Sequence, residues 1–391
     1  MPINVKGLFE TLQYKANNID SSTSTAEILD TLKAIKLADG NTIISYDSDG
    51  ALPDATTTNI KLAYVKSAGI IKFNNGTWDT LTGSLDGAAA AGLVAQGSVA
   101  SYTSGGSVPP GSNIIDKIPF STDGNATDVG DLLSGVYAAT GIRSTTHGYV
   151  AGGATPSYSN VIQKFSFSVD ENSTDVGDLT VTSYTSAAAE STTHGYVSGG
   201  ETPSRINVIQ KFSLVADANA TDVGDLTDDR SELGGNGSTT HGYVAGGNAF
   251  PGPDAQHSMI EKFPFSTDGN ATDVADLSSA RYGNSGSNSE TDGYSAGGRA
   301  HPGGAQLNSI DKYPFATDAN GTDIADITLA RAQGAGTSST THGYTSAGYN
   351  PAIGSPNRSN TVDKFPFSTD ENATDVGDLT SARWAPAGQE S

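Results

Sequence analysis

The feature that most constrains the fold of this chain is an internal repeat of 47 to 52 residues. The segment His147-Gly148-Tyr149-Val150-Ala151-Gly152-Gly153 returns at residues 194–200 and 241–247 and, altered, at 292–298 and 342–348. A second segment carries one lysine per copy, at Lys117, Lys164, Lys211, Lys262, Lys312 and Lys364. Residues 101–106 match the first segment without its His-Gly. Six copies therefore span residues 98–391, which indicates a repeat architecture.

Each copy is predicted to form short β-strands. Phe165 and Phe167 alternate with Ile162 and Lys164, which is the two-residue period of a strand. The Thr-Asp-x-Asn stretches are typical of turns, and the Gly-Gly pairs allow one backbone to pass close to another. No copy contains a run that predicts a helix. Short strands at this repeat length, with one glycine pair per copy, predict a β-propeller with four-stranded blades.

The repeat resembles the kelch family. Residues 243–247, 260–263 and 276–281 carry its pattern of an aliphatic strand ending in Gly-Gly, an aromatic-bearing strand, and an arginine before the next blade. The resemblance covers residues 98–391, although the outer-strand Trp usual in the family is absent. We expect the arginine position to be filled by Arg230, Arg281, Arg331 and Arg383, and in the first two copies by Tyr137 and Tyr184.

The phase of the repeats predicts how the ring closes. The array begins with a Gly-Gly strand, Val99 to Gly106, and ends with a strand that should precede one, Ala382 to Glu390. We therefore predict a mainly β protein, a six-bladed kelch-like β-propeller in which the last strand pairs beside the first Gly-Gly strand. Ring closure would leave only short sheet edges.

Residues 1–83 differ in composition and predict a small N-terminal α+β attachment module, followed by a linker over residues 84–97. Helical spacing is present at residues 5–14, and a capping box at residues 24–27 precedes a helix that Gly40 ends. Strands are predicted at residues 60–65 and 70–73, and Asn75-Gly76 predicts a hairpin turn. The module is too small to be stable alone, so we expect a homo-oligomer or docking into a larger assembly.

Residues 62–78 resemble the attachment modules of tailed-phage fibres and similar virion appendages. The repeat is also similar to structural proteins of marine phages, including those of cyanobacteria. This resemblance implies a virion structural protein on the particle surface, with other virion proteins bound through residues 1–83. The propeller would then contact a host-surface glycan or receptor, or a neighbouring virion protein. The alternative is a lectin-like carbohydrate-binding surface protein of a bacterium.

The composition argues against several other classes of function. The chain has 43 acidic and 21 basic residues, and this negative charge opposes binding to nucleic acid. It has no Cys, so it lacks thiolate chemistry and the Tyr–Cys cross-link of galactose-oxidase-like kelch enzymes. No apolar run approaches the ~18 residues of a membrane span. No His-Glu-x-x-His or phosphate-loop motif occurs, and we expect no catalysis, no cofactor and no membrane insertion.

Repeated polar residues admit two interpretations each. One histidine per blade, at His147, His194, His241 and His342, would be either a ring of metal ligands or a set of local hydrogen bonds at strand starts. Asp123, Asn125, Asp128 and their equivalents would be either calcium loops or Asx turns. Because a metal needs convergent ligands, and the rest of a calcium loop is missing, we favour the local roles and predict no metal site.

The lysine of each copy and the second Asp of its Thr-Asp-x-x-Asp stretch occur in all six copies. These aspartates are Asp131, Asp178, Asp225, Asp276, Asp326 and Asp378. A residue present in every blade is expected to have a structural role in the blade and not a role in a single active site. We therefore expect a Lys–Asp or Asp–backbone contact that ties strands or blades together.

The residues that do not repeat are the candidates for binding. The longest insertions, at residues 248–257, 299–308 and 349–360, all follow a Gly-Gly pair, so they should cluster on one face of the last three blades. The candidate binding residues there are Phe250, Pro251, Asp254, His257, Arg299, His301, Tyr349, Asn350 and Arg358.

Overall fold

A computed structural model describes residues 44–46, 62–65, 70–74, 78–80, 96–108, 111–249 and 258–391. The chain divides into two compact units, residues 1–91 and 92–391. The second unit is mainly β and forms six four-stranded antiparallel sheets arranged as the blades of a propeller. This confirms the predicted fold class. No helix among the described residues is long and apolar enough to cross a membrane.

The six inner strands lie side by side around a central channel. We number the blades so that blade 1 contains the first Gly-Gly strand. From blade 1 to blade 6, the inner strands are Ala387–Glu390, Thr140–Arg143, Ala187–Glu190, Gly234–Gly237, Ser285–Asn288 and Ala335–Ser338. The second strands, which end at the glycine pairs or their equivalent, are Ala100–Ser104, His147–Ala151, His194–Ser198, His241–Ala245, Asp292–Ala296 and His342–Ser346.

The third and outer strands complete each blade. The third strands are Ile114–Pro119, Val161–Ser166, Val208–Ser213, Met259–Pro264, Ser309–Pro314 and Thr361–Pro366. The outer strands are Thr127–Asp131, Thr174–Asp178, Thr221–Asp225, Thr272–Asp276, Thr322–Asp326 and Thr374–Asp378. In every blade the register of this pair shifts after the second residue of the third strand, as between Ile115 and Asp116. This β-bulge re-aims the side chain that follows it.

The ring closes as predicted. The inner strand of blade 1 pairs antiparallel with the second strand of the same blade, with Ala387 opposite Ser104 and Glu390 opposite Ser101. Blade 1 is therefore built from both ends of the array. Gln389 strengthens the seam, because its side-chain oxygen accepts a 2.8 Å hydrogen bond from the Ser104 hydroxyl.

The hydrophobic core consists of six separate clusters, one between each pair of neighbouring blades. In blade 2, Phe165 packs toward blade 1 and Ile162 packs toward blade 3, so the alternation predicted from the sequence is confirmed. A tyrosine of each second strand meets an aromatic ring on the next blade in most junctions. Tyr102, for example, lies 5.6 Å from Phe165, centroid to centroid. Each blade thus buries both of its faces.

In the first unit the structure describes one four-stranded sheet. Ile44–Tyr46 runs parallel to Leu62–Val65, which pairs with Ile70–Asn74, which in turn pairs with Trp78–Thr80. The strands predicted near residues 60–65 and 70–73 are confirmed, and Asn74 lies opposite Trp78 across the predicted hairpin. The strand at residues 44–46 was not predicted. The two predicted helices lie outside the described residues.

Short elements extend one end of the propeller. Ala154–Thr155 pairs with Ser157–Tyr158, and Glu201–Thr202 pairs with Ser204–Arg205. Two further pairs join Arg230–Ser231 to Asn248–Ala249 and Arg281–Tyr282 to Arg299–Ala300. A 3-10 helix covers Pro351–Ile353. All of these follow or pair beside a glycine pair, so we call this end of the propeller the loop face. The opposite end, where a turn joins the inner and second strands of blades 2 to 6, is the turn end.

Candidate binding face and central channel

The repeated lysines tie each blade to the next, but not through the aspartate that was expected. Each lysine pairs with the aspartate two positions before the turn asparagine of the following blade. Lys262 and Asp318, for example, lie 2.6 Å apart. The pairs are Lys117–Asp170, Lys164–Asp217, Lys211–Asp268, Lys262–Asp318, Lys312–Asp370 and Lys364–Asp123. The expected pairing with Asp131 and its equivalents is wrong, because those carboxylates lie elsewhere. The aspartates are well exposed, so each pair adds little stability.

The aspartates Asp131, Asp178, Asp225, Asp276, Asp326 and Asp378 do tie the blades together, but through their backbone atoms and not through their carboxylates. The backbone N–H of Asp131 donates to the side-chain oxygen of Asn172 in blade 2 at 2.9 Å, and its carbonyl accepts from the N–H of Ser173 at 2.8 Å. The same two bonds recur at the other five junctions. The asparagine of the turn is therefore an interblade clamp. The last pair, Asp378 with Asn125, joins blade 6 to blade 1.

Asp128 and its equivalents form the local turn that the sequence predicted. Asp128 accepts a hydrogen bond from the N–H of Gly130 at 3.2 Å, which is an Asx-type contact. Asp175, Asp222 and Asp375 make the same bond. Among the described residues there is no group of three or more His, Cys, Asp or Glu side chains placed to hold a metal ion.

The repeated histidines serve the turns between inner and second strands. The N–H of His147 donates to the Ser144 hydroxyl at 3.0 Å, and its Nδ1 lies 2.8 Å from the Thr146 hydroxyl. His194, His241 and His342 make the same contacts. Burial, with the charge of the neighbouring lysine, lowers the pKa of all four. The interpretation as local hydrogen bonds is confirmed.

Four buried ion pairs occupy the arginine position of the repeat. Arg281 and Asp311 are both fully buried, and a guanidinium nitrogen donates to the carboxylate at 2.8 Å. Burial lowers the pKa of Arg281, and the charge of Asp311 raises it. The equivalent pairs are Arg230–Glu261, Arg331–Asp363 and Arg383–Asp116. The acid follows the β-bulge of the third strand, which aims it inward.

The assignment of Tyr137 and Tyr184 to the arginine position is wrong by one residue. The carbonyl of each arginine accepts from the second glycine of the preceding Gly-Gly pair, and in blades 2 and 3 Val136 and Ser183 make this bond. Their partners on the third strand are the amides Gln163 and Gln210 in place of acids. Spacing was sufficient to place this position, because Val136 and Ser183 lie five residues after Asp131 and Asp178, as Arg230 does after Asp225.

The central channel is constricted by a ring of glycines. The second residues of the inner strands are Gly141, Ala188, Gly235, Gly286, Gly336 and Gly388. A Cβ on Gly286 would overlap the carbonyl oxygen of Gly235 in the blade before it, and the other ring glycines are crowded in the same way. At these five positions the absence of a side chain permits the close approach of backbones, whereas blade 3 has Ala188 at the equivalent position. The channel encloses about 380 Å³ of empty space, counting the part open to solvent.

A cycle of six backbone hydrogen bonds surrounds the axis at the loop face. Each donor is the N–H of a residue two positions before an inner strand, and each acceptor is the carbonyl of its equivalent in the preceding blade, at 2.6 to 2.9 Å. All six residues have φ between 50° and 67°, in the left-handed region. They are Ala138, Thr185, Glu232, Gly283, Gln333 and Ala385. The bonds link the blades at the axis independently of side-chain identity.

A polar cluster fills the channel near the turn end. The guanidinium of Arg143 in blade 2 lies 3.2 Å from a Glu390 oxygen in blade 1 and 3.7 Å from a Glu190 oxygen in blade 3. Burial, offset by Arg143 and reinforced by Glu190, raises the pKa of Glu390 to about 8. Burial also raises the pKa of Glu190. The chain enters the propeller beside this cluster, where the amide of Gln96 donates to the carbonyl of Asn288 at 2.8 Å.

The structure describes five of the nine candidate binding residues. Arg299 and Tyr349 come together, since the guanidinium carbon of Arg299 lies 4.8 Å from the centre of the Tyr349 ring. Asn350 is buried and serves the loop, accepting from the N–H of Ala352 and donating to the carbonyl of Ala330. Arg358 lies opposite Tyr349 in a β-bridge, and His301 begins the turn after Ala300.

The remaining candidates, Phe250, Pro251, Asp254 and His257, lie outside the described residues. The insertions at residues 299–308 and 349–360 do project from the same face, as predicted, because both follow the glycine pair that ends a second strand.

The sequence analysis missed a line of aromatic rings on the loop face. Tyr158, Tyr184, Tyr137, Trp384 and Tyr349 follow one another with centroid separations of 5.4, 5.8, 5.9 and 6.4 Å. We call these five residues, with Arg299 at their end, the aromatic arc. A signal was available in the sequence, since Tyr137, Tyr184 and Trp384 stand at one position of the repeat. The one-residue misalignment concealed it.

Glu232 is a second charged group of the loop face that was not singled out. Its carboxylate accepts from the Gln333 amide at 2.8 Å, across the cycle of backbone bonds. Burial raises its pKa, and the charge of Arg299 lowers it. Comparison with models of known protein families finds no match, and comparison with curated proteins finds no similar chain.

Proposed function

We propose that this chain is a non-enzymatic structural protein of a tailed-phage virion, of the fibre or appendage type. It docks on the particle through its N-terminal module, as a homo-oligomer, and displays a kelch-like propeller for contact with a host surface or a virion protein. The resemblance of residues 62–78 and of the repeat to phage proteins supports the virion role. The fold supports a display role, since the propeller is a rigid support for non-repeated segments.

The observation that carries this proposal is the separation of the two ends of the propeller. The turn end is almost the same in every blade and receives the incoming chain at Gln96 and Gly97. The loop face differs from blade to blade and carries the insertions. Such an arrangement suits a protein that is anchored at one end and makes contacts at the other.

A lectin-like surface protein of a bacterium is the second candidate. It is favoured by the aromatic arc, because partly exposed tyrosine and tryptophan rings are common in binding surfaces. The two candidates differ in where the protein is found, and both use the loop face for binding.

The experiment that separates them is quantitative mass spectrometry of purified phage particles from cells that produce this chain. A virion component is expected at a fixed number of copies per particle through successive purification steps. If the chain is instead lost from the particles and recovered with cell envelopes, the virion role is rejected.

A second experiment tests the loop face within intact particles. Residues 351–356 are all exposed, so replacing them with a short Gly-Ser link should leave the ring folded and reduce adsorption to host cells. The matched control is Val169→Ser, an exposed position in the turn between third and outer strands. Equal adsorption by both variants would contradict a role for this insertion.

A further inference from the structure

The aromatic arc stands where the copies of the repeat differ from one another. Six equivalent positions each precede a residue of the backbone hydrogen-bond cycle, and they hold Tyr137, Tyr184, Ser231, Tyr282, Ala332 and Trp384. Residues that maintain the blades, such as the clamp asparagines, occur in all six copies. An aromatic ring present in some copies and replaced by serine or alanine in others is not required by the blade itself.

The rings of the arc are arranged differently from the rings of the core. In the core, Tyr102 stacks on Phe167 with an interplanar angle of 29°, and Tyr196 stacks on Phe265 at 24°. Successive rings of the arc are inclined by 47° to 90°, so none lies flat on its neighbour. All five retain solvent exposure, and Tyr158 reaches 37%. Ring surface therefore remains available to a ligand.

Polar groups accompany the rings along their whole length. The Tyr158 hydroxyl donates to the Glu201 carboxylate at 3.2 Å, and Arg299 covers the Tyr349 ring at the other end. The neighbouring short strands carry hydroxyl groups, at Thr155, Ser157, Thr202 and Ser204. Among the described residues, the surface is thus a single file of aromatic rings beside hydrogen-bonding groups.

We infer that the aromatic arc binds a carbohydrate chain, with successive sugar rings resting on Tyr158, Tyr184, Tyr137, Trp384 and Tyr349. Sugars present C–H faces that pack on aromatic rings and hydroxyls that pair with carboxylate, guanidinium and hydroxyl groups. A protein partner of ordinary affinity would instead need a compact interface of roughly 800 Å² per side with an apolar centre. This inference deepens the proposed function and rests on its use of the loop face for binding.

The test uses the full chain on a glycan array of neutral hexose, uronic-acid and amino-sugar polymers. Binding to at least one polymer class is expected, and absence of binding to all three overturns the inference. The chain has two tryptophans, so Trp78→Phe leaves Trp384 as the only indole. In that variant, the polymer found on the array should shift the tryptophan emission as it binds.

Substitutions then locate the site. Tyr158→Ala and Tyr349→Ala remove the two ends of the arc and should each weaken binding by roughly 2- to 10-fold, the usual range for aromatic contacts. The matched control is Leu133→Ser, which removes an exposed apolar side chain outside the arc and outside the insertions. Thermal melting identifies any variant that fails to fold, and the conservative Trp384→Phe should retain most of the binding.

Two results would contradict the inference directly: polymer binding that is unchanged in both tyrosine variants, or an equal loss in Leu133→Ser. Failure here is distinct from failure of the proposed function, because the number of copies in particles does not depend on sugar binding. A chain that is present in virions yet binds no glycan retains the virion role and loses the carbohydrate site.

Discussion

Blades 2 and 3 differ from the other four blades in one buried contact, and the difference separates what the fold needs from what it tolerates. In blades 1, 4, 5 and 6 an arginine and an acid are buried together. In blades 2 and 3 the corresponding pairs are Val136 with Gln163 and Ser183 with Gln210. In both kinds a side-chain oxygen of the third strand accepts a backbone N–H from the loop face, as Asp116 does from Thr380 and Gln163 from Leu133.

The shared requirement is therefore an acceptor for that N–H group, and the arginine is an addition to it. Where arginine is present, the acceptor must also carry a charge, since an unpaired buried guanidinium is costly. Where arginine is absent, a neutral amide suffices. Four blades therefore carry an acid on the third strand and two carry glutamine, in agreement with the presence or absence of the arginine in the same blade.

The largest expected effect comes from removing one partner of an ion pair. Asp311→Ala leaves the fully buried Arg281 without its carboxylate and should lower the free energy of unfolding by about 3–5 kcal/mol. Gln210→Ala, the matched change in blade 3, leaves only neutral donors unpaired and should cost about 1–2 kcal/mol. Chemical denaturation of both variants measures the difference. Equal losses would remove the distinction between the two kinds of blade.

A smaller effect is expected when one kind of blade is converted into the other. The double variant Arg230→Val with Glu261→Gln gives blade 4 the pair found in blade 2. We expect it to be more stable than Glu261→Gln alone, with a coupling free energy of about 1–3 kcal/mol in a double-mutant cycle. Additive losses would mean that arginine and acid act independently.

The comparison also indicates what the sequence could predict. The repeat length and phase were sufficient for six blades and for closure by the last strand, because strand pairing repeats with the sequence. The Lys–Asp partner was wrong, and so was the arginine position in two copies. The Lys–Asp partner depends on which residues of adjacent blades meet, and a periodic pattern within one blade does not contain that information. The arginine position could have been found from the sequence, because Val136 and Ser183 lie five residues after Asp131 and Asp178, as Arg230 does after Asp225.

The central features were out of reach for a similar reason. The glycine ring and the cycle of backbone bonds exist only once six inner strands surround one axis. Ala138, Thr185 and Gln333 are unusual residues for the left-handed region, so no local signal identified those positions. Arg299 and Tyr349 were found from the sequence because they stand in insertions, whereas Tyr137 and Trp384 stand within the repeat.

The last expected effect depends on pH and is small for each pH unit. It concerns Arg143, which has two acidic partners where the other buried arginines among the described residues have one. The raised pKa of Glu390, about 8, means that the folded chain retains a proton that the unfolded chain loses from about pH 4.5 upward. The free energy of unfolding therefore falls as the pH rises toward 8. The free energy of unfolding of Glu390→Gln should therefore rise relative to that of the wild type between pH 5 and pH 8, by up to about 1.4 kcal/mol for each pH unit.

Denaturation curves at several pH values measure this gain. The control is Glu371→Gln, which removes an equal charge from an exposed position. If the difference between Glu390→Gln and the wild type stays constant from pH 5 to pH 8, the channel cluster does not contribute in the way inferred from its burial.

The composite first blade has a consequence for how the protein is made. Its inner strand is synthesised long after the strand beside it, since the partners Ser104 and Gln389 are 285 positions apart. While the chain emerges from the ribosome, the second strand of blade 1 presents an unpaired edge, and five blades accumulate as an open arc. The ring can close only after residues 387–390 have been synthesised. A chain truncated before them would expose an unpaired strand edge and be prone to aggregation.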